Sequence, residues 1–231
     1  MAVVKEQYSF LKTLIALSLV LLCLWAAQWQ YQRGVDRHAR NSLISEQSQL
    51  LPVEFEDLSG SINKYEWRKI SIEGTFDNSN QILLRNRYHD GMYGFEQLTL
   101  FLFDDRKIWV DRGWVKAGSD ATVPPKLQPT NEGKVSINGR LRLDSSLPQG
   151  KFFAVSNDSR RNLISQLDAR KGVQTEDFYI DLISVSDASM NPDVPVELPE
   201  LSDGPHMAYA LQWLFFAGLV IYGRRLIRKT A

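Results

Sequence analysis

Cysteine is almost absent from this chain. A single one, Cys23, stands among 231 residues, so an intramolecular disulfide, a CxxC redox pair and a copper–thiolate site are all excluded. Histidine is nearly as scarce: His38, His89 and His206 are the whole supply, and a zinc site of Cys and His cannot be assembled from that set. Net charge is missing too, with 27 basic residues against 27 acidic ones. A neutral chain lacks the basic field that holds nucleic acid. No G-x-S-x-G, H-E-x-x-H, P-loop or G-x-G-x-x-G occurs, and no carboxylate pair stands out as an acid–base couple. These absences point away from an enzyme.

What the chain has instead is apolar length, gathered at its two ends. The run "TLIALSLVLLCLWAAQW", Thr13–Trp29, holds about 17 uncharged residues, near the lower limit for a helix crossing a hydrocarbon core of roughly 30 Å. Signal peptides also open with lysine and an apolar stretch, as Lys5 and Lys12 do here. Against cleavage, the run is long for an h-region, ends in Trp25 and Trp29, and leads into no A-x-A site. Tryptophans at the far end belong to an interfacial belt, so the segment reads as a retained anchor. The second run, Met207–Tyr222, is followed at once by Arg224, Arg225, Arg228 and Lys229. Basic residues beside a span mark its cytoplasmic face, and Lys5 and Lys12 put the N-terminus on that side as well.

The expected organisation is a cytoplasmic tail over 1–12, a transmembrane helix over 13–31, an extracytoplasmic domain over 32–205, a second transmembrane helix over 206–223 and a basic cytoplasmic tail over 224–231. In a bacterium this is a multi-pass inner-membrane protein with its domain in the periplasm. Neither span carries an internal charge, which argues against an ion pathway.

Between the spans, Ser42–Leu58 reads as a helix leaving the membrane and then a linker through Pro52. Period-two alternation follows. "RKISIEGTF" puts Ile70, Ile72 and Phe76 on one face; "EQLTLFLF" does the same for Leu98, Leu100 and Leu102. "KVSINGRLRL" sends Val135, Ile137, Leu141 and Leu143 one way, and Lys134, Ser136, Asn138, Arg140 and Arg142 the other. "DFYIDLISV" supplies a further strand. Turn signals stand at Asp77-Asn78, Asp90-Gly91, Asp104-Asp105 and Asn131-Glu132-Gly133. One helix is expected at "DSRRNLISQLDARKG", from Asp158 to Gly172, and the Pro-rich stretch after Ser189 is an extended connector. The fold class is thus a membrane protein with two transmembrane α-helices flanking a mainly antiparallel β domain, barrel- or sandwich-like, with one short helix.

Four stretches carry unusual composition, and each admits two readings. "LLRNRYHDGMYGFEQ" is either a solvated polar hairpin or a surface site, in which Arg85 or Arg87 meets a carboxylate and Tyr88 or Tyr93 gives rigid contact area. In "WVDRGWV", Arg112 shares the face of Val110 and Trp114, which should be apolar. It needs a partner or an aromatic plane there, with Gly113 allowing a bulge; the alternative is a functional arginine. Arg33, Arg37 and Arg40 sit at helical spacing beside the first span, where lipid phosphates would draw them. His206 opens the second span. A stripe of His206, Ala210, Trp213, Leu214 and Ala217 leaves a shallow groove for another helix or a flat ring, and Gln212 is expected to face protein. At that boundary a histidine is either an ordinary amphipathic residue or a ligand.

Taken in order, these stretches resemble the SURF1 (Shy1) family of cytochrome c oxidase assembly proteins. The resemblance runs through Trp29-Gln30-x-x-Arg33, "GTFD" at Gly74–Asp77, "LLRNR" at Leu83–Arg87, the turn Gly91–Phe95, "VDRGWV" at Val110–Val115 and "PHMAYALQW" at Pro205–Trp213. Ala27 departs from it, since a glycine is expected before the Trp-Gln pair, which bears on how closely the spans pack. The resemblance implies a non-catalytic factor acting with the oxidase core subunit and other assembly factors in the bilayer, and associated with haem a. It makes His206 the favoured axial ligand. Tyr209, Trp213, Trp25 and Trp29 would lie against the ring, and Arg33, Arg37 or Arg112 would meet its propionates. His38 is the weaker candidate for a second ligand. The rival reading is a haem-free scaffold that grips an assembly intermediate through the β domain.

Overall fold

The structure is a computed structural model that describes residues 7–119, 125–128, 130–143, 154–156 and 175–230. It divides into two compact units. One joins the residues up to Leu43 with those from Glu200 onward; the other is Ile44–Pro199.

Two helices make the first unit. Helix α1 runs unbroken over Ser9–Gln49, 41 residues, or about 60 Å at 1.5 Å per residue. The anchor and the polar helix after it are therefore one element, because no proline interrupts Thr13–Gln49. Helix α2 covers His206–Thr230 and begins where the Pro205 carbonyl accepts the Tyr209 N–H. Both helices are long and apolar enough to cross a membrane. Their large side chains, such as Leu21, Trp25, Leu211 and Phe215, are left uncovered.

The buried residues in these helices are mostly small: Cys23, Ala26 and Ala27 on α1, Ala210 and Ala217 on α2. Small side chains let helix backbones approach where no hydrophobic effect drives them together. Ala27 is itself buried, so alanine packs where a glycine was expected. Gln212, expected to face protein, is exposed instead. At the far end Arg224 reaches α1, donating to the Thr13 hydroxyl at 2.8 Å and to the Ser9 carbonyl at 3.0 Å.

The second unit is a seven-stranded mixed sheet. Its strands are β1 (Val53–Glu54), β2 (Lys69–His89), β3 (Met92–Phe103), β4 (Arg106–Lys116), β5 (Val135–Leu143), β6 (Ala154–Ser156) and β7 (Phe178–Val185). The order is β1-β2-β3-β4-β7-β5; β5 also pairs with β2, and β6 pairs with β2 off this path. Most pairs are antiparallel, as the alternation implied, but β1–β2 and β4–β7 are parallel.

Turn chemistry places the hairpins. Asp90 and Gly91, with φ of 49° and 73°, join β2 to β3. That is the backbone a two-residue type I′ turn requires. Asp104, at φ 47°, turns β3 into β4. Asp77-Asn78 does not reverse the chain. It is a bulge inside β2, where the register to β3 shifts between Asp77 and Gln81 and the Asp77 carboxylate accepts the Ser79 N–H. Gly113, at φ 89°, sits in a second irregularity on β4. The helix expected over Asp158–Gly172 lies outside the described residues.

Both faces of the sheet are apolar. One carries Ile70, Ile72, Phe76, Phe101, Ile137, Leu141 and Ile180 in the main core. The other carries Ile82, Leu84, Leu98, Leu100, Trp109 and Tyr179. Gly74 shows how closely the strands pack, since a Cβ there would stand 2.2 Å from the Leu102 carbonyl and 2.6 Å from the Phe101 ring. Gly74→Ala should therefore cost about 1–3 kcal/mol and lower the melting temperature of the detergent-solubilised protein. Gly133→Ala meets nothing within 4 Å and should leave it unchanged.

Candidate functional site

His206 stands at a junction where α1 grips the approach to α2. Four turns of α1 present Gln30, Gly34, Arg37 with His38, and Asn41 at intervals of three and four, which is one helical face. Each meets the segment Ser202–Met207. The His206 Nδ1 lies 3.0 Å from the Gln30 Oε1. A Cβ on Gly34 would meet the Met207 methyl at 3.2 Å and the His206 Cβ at 3.4 Å, so the two segments lie close together here. Arg37 donates to the Ser202 carbonyl at 2.5 Å. The Asp203 carboxylate pairs with His38 at 2.8 Å and accepts the Asn41 amide at 3.0 Å. Those two partners hold its pKa below the usual carboxylate value. Gly204 adopts φ 67°, a conformation natural to glycine, and turns the chain toward Pro205 and the helix.

The Gln30 contact bears on the chemistry of the imidazole. An amide oxygen only accepts, so a ring nitrogen facing it would have to be the protonated one, with the lone pair left on Nε2. A neutral imidazole whose second nitrogen is held by a hydrogen bond is the usual form of a metal-ligating histidine. One such nitrogen suffices for a haem iron. Among the described residues no three His, Cys, Asp or Glu side chains gather as a metal site.

The other expected residues are placed as follows. Tyr209 and Trp29 are each about half exposed and Trp213 is half-buried. Arg33 lies over the Trp29 ring at 5.5 Å, and Trp213 meets Phe216 edge-on. Ala210 and Ala217 are buried as the stripe required, but Leu214 is exposed. Arg37 is engaged by Ser202 and His38 by Asp203. Arg112 belongs to the β unit and is buried to 1% exposure. Its guanidinium donates to the Gln128 carbonyl at 2.7 Å and lies over Phe76. Burial pulls its pKa down to about 10. Arg112 is a structural arginine with no solvent-facing guanidinium to offer a propionate.

The β unit holds a second polar assembly that the alternation concealed. Asp181, 1% exposed, accepts from Arg142 at 3.1 Å and has Arg140 at 3.9 Å. Arg142 also lies 3.5 Å over the Trp67 ring, while Arg140 donates to the Val196 carbonyl. Arg87 meets Glu96 at 2.7 Å, so the carboxylate expected for it is an internal one. Asp111 is buried and accepts the Gly113 N–H at 2.9 Å. Burial first, then the charges of Glu96 and Asp181, push its pKa well above the ordinary carboxylate range. Glu96, also raised by burial and opposed by Arg87, is its carboxyl neighbour. Burial also raises Asp181, with Arg142 and Arg140 opposing it.

The family model for SURF1 matches residues 17–218. The chain belongs to the SURF1 family. SURF1 proteins are cytochrome oxidase assembly factors rather than known enzymes. An uncharacterised SURF1-like protein of Mycobacterium bovis is 28% identical over 220 residues, covering 91% of this chain and 79% of the relative. SURF1-like proteins of two Mycobacterium tuberculosis strains match to the same extent.

Within the matched region, sequence reasoning missed Gln30 as a partner of His206, and Gly34 and Asp203 altogether. It set Arg140 and Arg142 opposite the apolar face of their strand but named no partner for them, where the structure supplies Asp181. The available signal was a charged residue between apolar neighbours in "YIDL", opposite two arginines in "GRLRL".

Two substitutions test the β-unit assembly. A carboxyl whose pKa is raised by folding binds its proton more tightly in the native state, so its contribution falls as pH rises above the unfolded value of about 4. Asp111→Asn keeps the acceptor for the Gly113 N–H without the charge. It should hold or raise the melting temperature at pH 8 and shrink the fall between pH 5 and pH 8. Asp181→Asn strands two buried arginines and should cost about 3 kcal/mol, lowering the melting temperature at both pH values.

Proposed function

We propose that this SURF1-family protein is a non-catalytic cytochrome c oxidase biogenesis factor of the inner membrane. It binds haem a at the head of α2 and assists its insertion into the oxidase core subunit, with both termini cytoplasmic and the β domain periplasmic. The observation that carries this reading is the Gln30–His206 contact at 3.0 Å, because with the amide oxygen accepting from Nδ1 it would leave Nε2 as the lone-pair donor. His206 would hold the haem through Nε2, and the haem would supply an iron that takes an imidazole nitrogen as ligand. Tyr209, Trp213 and Trp29 offer aromatic surface for the porphyrin, and Arg33 offers a guanidinium for its propionates. A single ligand suits a protein that must release what it carries.

The test is the absorbance spectrum of protein purified from haem a-producing cells, compared between wild type and His206→Ala. Bound haem in the wild type should be lost in the variant. Equal haem in both, or none in either, leaves the scaffold reading, in which the β domain grips an oxidase intermediate and His206 only opens the helix. For topology, alkaline phosphatase fused within Asn63–Leu182 should be active, and fused after Arg228 inactive.

A further inference from the structure

We propose that Gln30 is the positioning residue of the His206 site: its side-chain oxygen fixes the imidazole as the Nδ1–H tautomer and so makes Nε2 the nitrogen available to a ligand. The importance of that nitrogen for haem rests on the reading above; the tautomer itself does not.

The geometry points to a built contact. Gln30 and His206 are 176 positions apart in sequence and meet side chain to side chain at 3.0 Å, partly buried. A glutamine sacrifices considerable rotamer freedom to hold one geometry, and at an exposed helix surface it gains little by doing so. Here the backbone on both sides is already fixed. One turn along α1, Gly34 brings His206 and Met207 within van der Waals reach. Further along, Arg37 holds the Ser202 carbonyl, and His38 with Asn41 holds Asp203. With the segment before His206 tied down at two residues, the ring needs only one more restraint, and Gln30 supplies it.

The alternative is a hydrogen bond that merely joins two helices, and it differs in a measurable way. A helix-joining contact works with either orientation of the amide. If the amide nitrogen faced Nδ1, Nδ1 would accept, the proton would move to Nε2, and no lone pair would remain there for iron. Only the oxygen-facing arrangement serves a ligand site.

The deciding measurement is nitrogen NMR of the full-length protein, histidine-labelled with nitrogen-15 and held in nanodiscs without haem at pH 8. His206→Ala identifies the His206 signals among the three histidines. The wild type should carry its proton on Nδ1. Gln30→Leu, which keeps the bulk and removes the acceptor, should move it toward Nε2, and Gln30→Glu, which keeps an acceptor, should restore Nδ1. A wild-type proton on Nε2, or one tautomer in all three proteins, overturns the proposal. Should Gln30→Leu fail to fold, the wild type and Gln30→Glu decide: both must carry the proton on Nδ1.

Haem titration then separates this inference from the reading it deepens. Loss of an outer-shell partner typically weakens binding about 10- to 100-fold. That loss in Gln30→Leu, with recovery in Gln30→Glu, is the expected result. Equal affinity in wild type and Gln30→Leu overturns Gln30 as a positioning residue while leaving the haem reading intact. A wild type that binds no haem overturns the haem reading, and the tautomer measurement still decides this one.

Discussion

A polar group taken out of water has to find its partner inside the protein, and that constraint shapes both units of this chain. In the helical unit it acts on an imidazole. His206 is half-buried at the start of a helix, and the amide of Gln30 answers it. In the β unit it acts on carboxyls. Asp111 and Asp181 are almost wholly covered, and they reach the same end by different means. Asp181 keeps its place through two arginines, whereas at Asp111 burial and the neighbouring carboxyls favour the neutral form. A pair of neighbouring carboxyls cannot both ionise cheaply in such surroundings.

That constraint also explains which parts of the structure were legible in the sequence. Strand existence was readable, because one face of each strand must be apolar: Ile70, Ile72 and Phe76 lie in one cluster and Leu98 and Leu100 in another. The hairpins at Asp90-Gly91 and Asp104-Asp105 were readable because their backbone angles restrict residue choice. The bulge at Asp77 was not, since the same residues suit a reversal and an irregular strand equally. The second buried face was also hidden. Alternation in "KVSINGRLRL" implies solvent on the arginine side only if that face is wet, and here it is covered: Asp181 and Trp67 meet Arg140 and Arg142.

The candidate site was half legible. His206 was identified by its position at the head of an apolar run, and Arg112 by its presence on an apolar face. Which partner each meets depends on contacts between residues far apart in the chain. For Arg112 the answer is the Gln128 carbonyl and the Phe76 ring, which makes it a core residue. For His206 it is Gln30, which lies within the Trp-Gln pair but gives no sign of its role there. A glutamine beside a membrane span is unremarkable in composition; only the opposing helix gives it meaning.

Closeness between the two helices has a physical source as well. Helices apolar enough to cross a membrane would gain nothing in lipid by burying leucine against leucine, so their approach would come from small residues and from polar contacts. Cys23, Ala26 and Ala27 on α1, with Ala210 and Ala217 on α2, provide the first. Arg224 on Ser9 and Thr13 at one end, and Gln30 on His206 at the other, provide the second. Ala27 fits this scheme: a methyl is still small enough to be buried where the pair comes together. At Gly34 a methyl would press on Met207 and His206, and Met207, being flexible, has to yield by a few tenths of an ångström for it to fit.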